Sequence, residues 1–414
     1  MPADPRDPVG SLLEAVVDTA REVRGGEVAA YIPELAKADP DRLGIALVST
    51  RGVVHEAGDA GTEFTIQSVS KPFAFALAVD ALGLDEVTRH VGLEPSGEPF
   101  NAISLDAASG RPLNPMINAG AIVVTSLLAG PDADADEKFA TVRAGLERFA
   151  GRDLVVDEAV FASEAETGDR NRALAFLARS AGTLGSAVDA ATDAYFRQCS
   201  IVVTARDLAM MAATLATGGV NPVTGERVVS DAAARWTIAV MTSCGMYDAS
   251  GEWLVRVGLS AKSGVGGGIV ALEPGQFGIG TFSPPLDAQG NSVRGVAMLQ
   301  ALSSQFGLHL LGHRTEPLSP IAALTPSADG SETVAVLRGE LLFASAEEVL
   351  ARLAPMVSDD GCLVLDFAAV TRVAPGAAEL FRHVPERAGL GNDGRPRVVV
   401  RDPEGVLASG QAHS

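Results

Sequence analysis

Segments that read as β-strand bracket a long block of helical periodicity, and this arrangement limits the fold of the 414-residue chain more than any other feature. The first 25 residues suggest a helix. Residues 44–58 alternate apolar and polar around Thr50, Arg51 and Gly52, the pattern of a hairpin. A short strand at 64–67 runs into an apolar, breaker-free stretch at 73–83, a strand-to-helix junction. Strand signals then return at 265–272 and 277–282, joined through Glu273, Pro274 and Gly275, whose Pro-Gly pair marks a tight turn. Between them, 119–129, 136–150, 170–181 and 205–217 repeat apolar residues at helical spacing, and 293–311 predicts a closing helix. Distant strands with helices inserted between them predict an α+β domain over 1–314: a mostly antiparallel sheet carrying a helical layer. Residues 315–332, rich in Pro, Ser, Ala and Gly, read as a linker. Beyond it, strands at 333–337, 362–366 and 397–400 with helices at 346–353 and 376–381 predict a small βαβαβ unit over 333–414.

Charge and composition exclude several function classes. A formal net charge of −20 repels phosphate backbones and anionic lipid surfaces, and no basic patch offsets it, so no nucleic-acid partner is expected. No stretch approaches the roughly 18 uninterrupted apolar residues of a membrane span. The N-terminus carries Asp4 and Asp7 rather than a cationic or Arg-rich leader, which points to the cytoplasm. Cys199, Cys244 and Cys362 are too few and too scattered for a disulfide framework or a paired metal site, and read as reduced core thiols.

Of 32 basic residues only Lys37, Lys71, Lys138 and Lys262 are lysine, so 28 are arginine. A lysine retained against that bias does what a guanidinium cannot: it loses its proton near neutral pH. Lys71 follows Ser68 by three residues at the strand-to-helix junction, so both side chains share one helical face. A desolvated neutral lysine can take the proton of a serine, which is otherwise a poor nucleophile. The alternative is a helix cap followed by a surface lysine. Lys262 opens Lys-Ser-Gly-Val-Gly-Gly-Gly at 262–268, where glycines admit a ligand close to the backbone and an edge N–H could face an oxyanion. Ala261 and the missing upstream glycines rule out a phosphate loop. Ser-x-x-Lys followed late by Lys-Ser-Gly is the motif order of serine β-lactamases and penicillin-binding proteins. The three tyrosines, Tyr31, Tyr195 and Tyr247, each lie in a polar or Cys-containing segment; each is a candidate hydrogen-bond donor or a half-buried packing residue.

Over 11–311 the chain resembles the serine-dependent glutaminase family. The resemblance is carried by Tyr31-Ile32-Pro33-Glu34, Ile66-Gln67-Ser68-Val69-Ser70-Lys71, Glu94-Pro95-Ser96-Gly97 and Asn114-Pro115-Met116-Ile117-Asn118-Ala119-Gly120-Ala121. It continues through Ser163-Glu164, Gly168-Asp169-Arg170-Asn171, Tyr195 to Ser200, Ser243-Cys244-Gly245-Met246-Tyr247-Asp248, the Lys262 segment and Ser283-Pro284-Pro285-Leu286-Asp287. It implies a β-lactamase-like fold and hydrolysis of L-glutamine to L-glutamate and ammonia, without metal or organic cofactor. It further implies Ser68 as nucleophile, Lys71 as its activating partner, Tyr247 as a second proton-transfer group, and the N–H groups of Ser68 and Val265 as oxyanion donors. Glu164 would hold the substrate ammonium, and Tyr31, Asn118, Asn171 and Tyr195 the amino-acid end, chiefly its carboxylate. A homodimer or homotetramer is implied as well.

The tail from about 330 resembles a STAS domain through Val336-Leu337-Arg338-Gly339-Glu340-Leu341, Leu363-Val364-Leu365-Asp366-Phe367 and Val370 to Gly376. That resemblance implies a binding or regulatory module of unknown partner. Ala374-Pro375 replaces the Asp-Ser pair of phospho-regulated members. His309 and His313 read as a helix-surface pair rather than a zinc site, and Glu164, Glu166 and Asp169 lack calcium-loop spacing, Glu166 reading as part of a solvated acidic turn. Two further readings are a penicillin-recognising or esterase-like hydrolase and a signalling protein that senses glutamine without hydrolysing it.

Overall fold

The structure, a computed structural model, describes residues 7–97, 102–311, 319–328, 330–359 and 361–409. The chain divides into two compact units, Met1–Gly312 and His313–Ser414.

In the first unit the hairpin β1 (Gly44–Ser49) and β2 (Val54–Gly58) forms as its alternation predicts. A two-residue ribbon pairs β3 (Phe64–Thr65) with β4 (Val202–Val203). The late strands are β5 (Ser260–Ser263), β6 (Gly268–Glu273) and β7 (Phe277–Phe282), and the main sheet runs β2-β1-β7-β6-β5, antiparallel throughout. Two strand expectations shift. β3 ends at Thr65, because Gln67 at φ +49° cannot continue an extended chain and residues Gln67–Ser70 close into a 3₁₀ turn. The glycine run 264–267 is a turn rather than the start of a strand, with Gly267 at φ +92°, and the lysine before it belongs to β5.

Among the described residues twelve α-helices complete this unit. They are α1 (Pro8–Arg21), α2 (Lys71–Leu82), α3 (Leu84–His90), α4 (Asn118–Leu127), α5 (Ala135–Ala150), α6 (Glu158–Thr167), α7 (Asp169–Ser180), α8 (Val188–Cys199), α9 (Ala205–Ala216), α10 (Asp231–Cys244), α11 (Ser250–Arg256) and α12 (Val293–Phe306). α12 stops short of residue 311 because Gly307 adopts a left-handed cap. Glu166 lies on α6, with Glu164, and not in an acidic turn, since Asp157 caps a helix that runs to Thr167. α2 is buried from Lys71 to Ala76 and again at Ala78 and Val79, so its first turns form the centre of the helical core, Phe73 and Phe75 packing with Phe149. α9 lies directly on β7: a Cβ at Gly280 would stand 2.1 Å from the Ala205 carbonyl oxygen, so the glycine sets this spacing.

The second unit has its own core, with Phe367 and Phe381 edge to face at 5.1 Å. Strands β8 (Ile321–Pro326), β9 (Glu332–Leu341), β10 (Cys362–Val373) and β11 (Val398–Arg401) are ordered β11-β10-β9-β8, the last three in sequence parallel and β8 antiparallel to β9. Helices α13 (Phe343–Leu353), α14 (Pro375–Arg382), α15 (Val384–Ala388) and α16 (Val406–Ser409) complete the unit. β8 corrects the reading of 315–332 as linker. It is an edge strand with only Ile321 buried, so its small exposed residues carry no alternation to read.

Candidate active site

The β3–α2 junction holds Ser68 in the 3₁₀ turn, and the Lys71 N–H donates back to the Ser68 carbonyl. Gln67, immediately before it, and Tyr247 are two of three described non-glycine residues with positive φ, at +49° and +56°. Such conformations cost about 1–3 kcal/mol each and persist only where the surroundings fix them.

Lys71 is buried, and its Nζ donates to the Asn118 Oδ1 at 2.7 Å and to the Met116 carbonyl at 3.2 Å. Burial lowers its pKa to about 8, against a smaller opposing pull from Cys199 and Glu164. Asn118 opens α4 after a turn built by Asn114, whose Oδ1 accepts from the N–H groups of Met116 and Ile117. The Asn118 amide also donates to Asn171 Oδ1 at 3.0 Å, and its Oδ1 accepts from the Tyr195 hydroxyl at 3.4 Å. One side chain therefore links the lysine to two other predicted site residues.

Glu164 is buried on α6, and burial lifts its carboxyl to about 7 although a Gln67 side-chain hydrogen bond and Lys71 pull the other way. Tyr31 is 57% exposed as a residue, while burial of its phenol, then the nearby Glu164 and Tyr247, push that hydroxyl's pKa up.

Tyr247 is buried; its hydroxyl donates to the Ser263 carbonyl at 3.0 Å and it shares a hydrogen bond with Ser68, while burial keeps the phenol protonated far above neutrality. A recess of about 210 Å³ opens beside it, lined in part by Asn114, Ile117 and Cys244. Lys262 Nζ stands 4.0 Å from the Tyr247 ring centroid. Burial, then repulsion from Lys71, holds that second lysine well below the ordinary range. The β5–β6 turn touches the Ser68 turn: a Cβ on Gly264 would lie 3.2 Å from the Val69 nitrogen. Val265, next in this turn, is buried, and among the described residues its N–H has no acceptor.

The eight other site residues predicted from sequence thus gather around the β3–α2 junction, α4, α6–α8 and β5, and the Tyr31 phenol lies within electrostatic reach of Glu164 and Tyr247. The sequence reading gave no role to Lys262, although it noted the motif, and none to Gln67, Ser70 or Gln198. Of the remaining lysines, Lys37 is an exposed partner of Glu34 at 2.6 Å. Lys138 is buried and donates to the carbonyls of Ser126 and Gly130 at the end of α4, a structural use. Cys199 and Cys244 are buried free thiols; Cys362 is only half-buried, which corrects its reading as core. Among the described residues no cluster of three His, Cys, Asp or Glu could hold a metal, and His313 lies outside them.

An antiparallel sheet and packed helices, with Ser68, Lys71 and Lys262 buried among them, define a mixed α/β protein. The Glutaminase family profile matches residues 26–311. The chain is 42% identical over 400 residues to Glutaminase of Corynebacterium glutamicum, covering 97% of this chain and 95% of that protein. It is 51% identical over 318 residues to Glutaminase 1 of Bradyrhizobium diazoefficiens, covering 77% of this chain and spanning only about half (51%) of that relative's length. The crystal structure of Mglu superposes with a TM-score of 0.86 at 44% identity, covering 96% of this chain and 98% of Mglu, which has also been solved in a glutamate form. The chain belongs to the glutaminase family.

Proposed function

We propose that this chain hydrolyses the side-chain amide of L-glutamine, giving L-glutamate and ammonia, through a seryl ester at Ser68. The observation that carries this reading is the hydrogen bonding of Lys71. A neutral amine that donates both its hydrogens, here to Met116 O and Asn118 Oδ1, keeps its lone pair for a hydroxyl proton.

Ser68 Oγ attacks the amide carbon as Lys71 takes its proton, and the N–H groups of Ser68 and Val265 receive the charge developing on oxygen. The carbon–nitrogen bond breaks when the leaving nitrogen gains a proton, for which Tyr247, hydrogen-bonded to Ser68 and with Lys262 against its ring, is the donor. Water then adds to the ester, giving a proton back to Tyr247, and as the carbon–oxygen bond to the serine breaks Ser68 regains its proton from Lys71. Glu164 receives the substrate ammonium, and Tyr31, Asn118, Asn171 and Tyr195 its carboxylate; a zwitterion met by a buried carboxylate and neutral donors is thereby distinguished from a simple amide. The relative solved with bound glutamate supports a site that accepts the product.

An ammonia-release assay with L-glutamine, L-asparagine and D-glutamine tests this: L-glutamine alone is turned over well, and Ser68→Ala stops it. Turnover that survives Ser68→Ala removes the seryl ester. Labelling of Ser68 by a fluorescent penicillin without glutamine turnover would instead select the penicillin-recognising reading.

For the second unit we propose a STAS-like binding module, supported by its parallel β9-β10-β11 with intervening helices. Cytoplasmic residence and a homodimer or homotetramer complete the proposal; no described helix is long and apolar enough to cross a membrane. Light scattering on the purified protein reads the assembly.

A further inference from the structure

The strained turn that carries Ser68 is held by a chain of hydrogen bonds that runs through the helical core and ends on Gln67. Thr125 Oγ1 on α4 donates to Gln198 Oε1 on α8 at 2.8 Å; Gln198 Nε2 donates to Ser70 Oγ at 2.9 Å; Ser70 Oγ donates to the Gln67 carbonyl at 2.7 Å. All four residues are buried, Thr125, Ser70 and Gln198 completely. Because the Ser70 oxygen accepts from the amide, its single proton has only the Gln67 carbonyl to go to, so every donor in the chain points one way.

Gln67 is left-handed at φ +49°, a conformation that a glutamine keeps only when its surroundings hold it. Its carbonyl takes the end of the chain, and its side chain hydrogen-bonds both Thr65 and Glu164. The same residue therefore aims the serine that follows it and steadies the carboxylate across the site.

We infer that Gln198, with Thr125 behind it, is a positioning residue for the reaction: it touches no substrate and acts through Ser70 to fix the Gln67 turn and hence the line of attack of Ser68. This rests on the reading of Ser68 as nucleophile. Displacement of an attacking atom by about 1 Å costs about a hundredfold in rate.

The test compares Gln198→Met, which keeps the volume and removes the amide, with Thr125→Val and Thr125→Ser in the full chain, alongside Ser68→Ala. The expected result is a fall in kcat of about ten- to a hundredfold for Gln198→Met and a smaller fall for Thr125→Val, with KM moving less than about threefold. Thr125→Ser, which retains the hydroxyl, restores kcat to within about twofold of the parent. In the Ser70→Ala background Gln198→Met adds little, since the chain is already cut. Folded variants with parental kcat, or equal losses in Thr125→Val and Thr125→Ser, overturn the inference. If Gln198→Met does not fold, the Thr125 pair decides the question alone. An active Ser68→Ala protein defeats the nucleophile reading itself, whereas an inactive one beside fully active Thr125→Val and Gln198→Met proteins defeats only the positioning role.

Discussion

Lys71 Nζ and Asn118 Oδ1 lie 2.7 Å apart in a buried contact, and the same Asn118 amide reaches Asn171 on its other side. The group proposed to accept the serine proton and those proposed to bind the amino-acid end of the substrate therefore share one neutral side chain. Its neutrality matters, since a carboxylate at this position would hold the proton on Lys71.

Asn118→Asp makes that change with almost no change of volume. The new charge raises the Lys71 pKa above about 8, so the rise of activity with pH moves at least about one pH unit toward alkali, and activity at pH 7 falls about tenfold or more. A pH series of kcat/KM on the two proteins checks it; an unmoved profile excludes Lys71 as the base.

On the proposed mechanism, two groups of the parent protein lose a proton before turnover. Glu164 does so near 7, to receive an ammonium, and Lys71 near 8, to act as base. Both losses grow as pH rises, so log kcat/KM climbs with a slope near 2 below about pH 7 and near 1 between about 7 and 8, then levels. A flat profile from about pH 6 to 9 contradicts both assignments.

Glu164→Gln keeps the shape of the side chain and removes its charge. The substrate ammonium then loses its only proposed counter-charge, and KM rises by about thirtyfold or more, with a smaller fall in kcat. Initial-rate kinetics across a wide L-glutamine range decide it. An unchanged KM places the ammonium elsewhere.

Gly120→Ala probes the turn beneath Asn118. A Cβ at this position would lie 1.9 Å from the Asn114 carbonyl oxygen, a backbone atom with nowhere to retreat. The variant loses about 3 kcal/mol of stability and most of its activity, as urea unfolding followed by fluorescence and ammonia release measure.

Much of this arrangement is legible in the sequence, and the gaps have physical causes. The hairpins are announced by turn chemistry at Thr50-Arg51-Gly52 and Pro274-Gly275, and both form. The scarcity of lysine marks four residues and their motifs single out Lys71 and Lys262, which are buried with depressed pKa values, although structural Lys138 shares both properties. The left-handed Gln67 is not legible, because glutamine carries no local preference for that conformation and long-range bonds impose it. Gln198 lies in the Tyr195 to Ser200 run that carries the family resemblance but draws no role from it, because only the packing of α8 against the Ser68 turn buries its amide. β8 escapes notice because an exposed edge strand of small residues has a linker's composition.

The pairing of β1 with β7 has one more consequence. Ile45 meets Thr281 across more than two hundred intervening residues, nearly all of the helical block. The opening hairpin thus leaves the ribosome long before its neighbour exists, with one lengthwise border unclosed during most of translation. Contacts this remote in sequence slow folding and leave a partly made chain open to wrong associations. The first unit must therefore close late, and its early segments are those most in need of protection by chaperones.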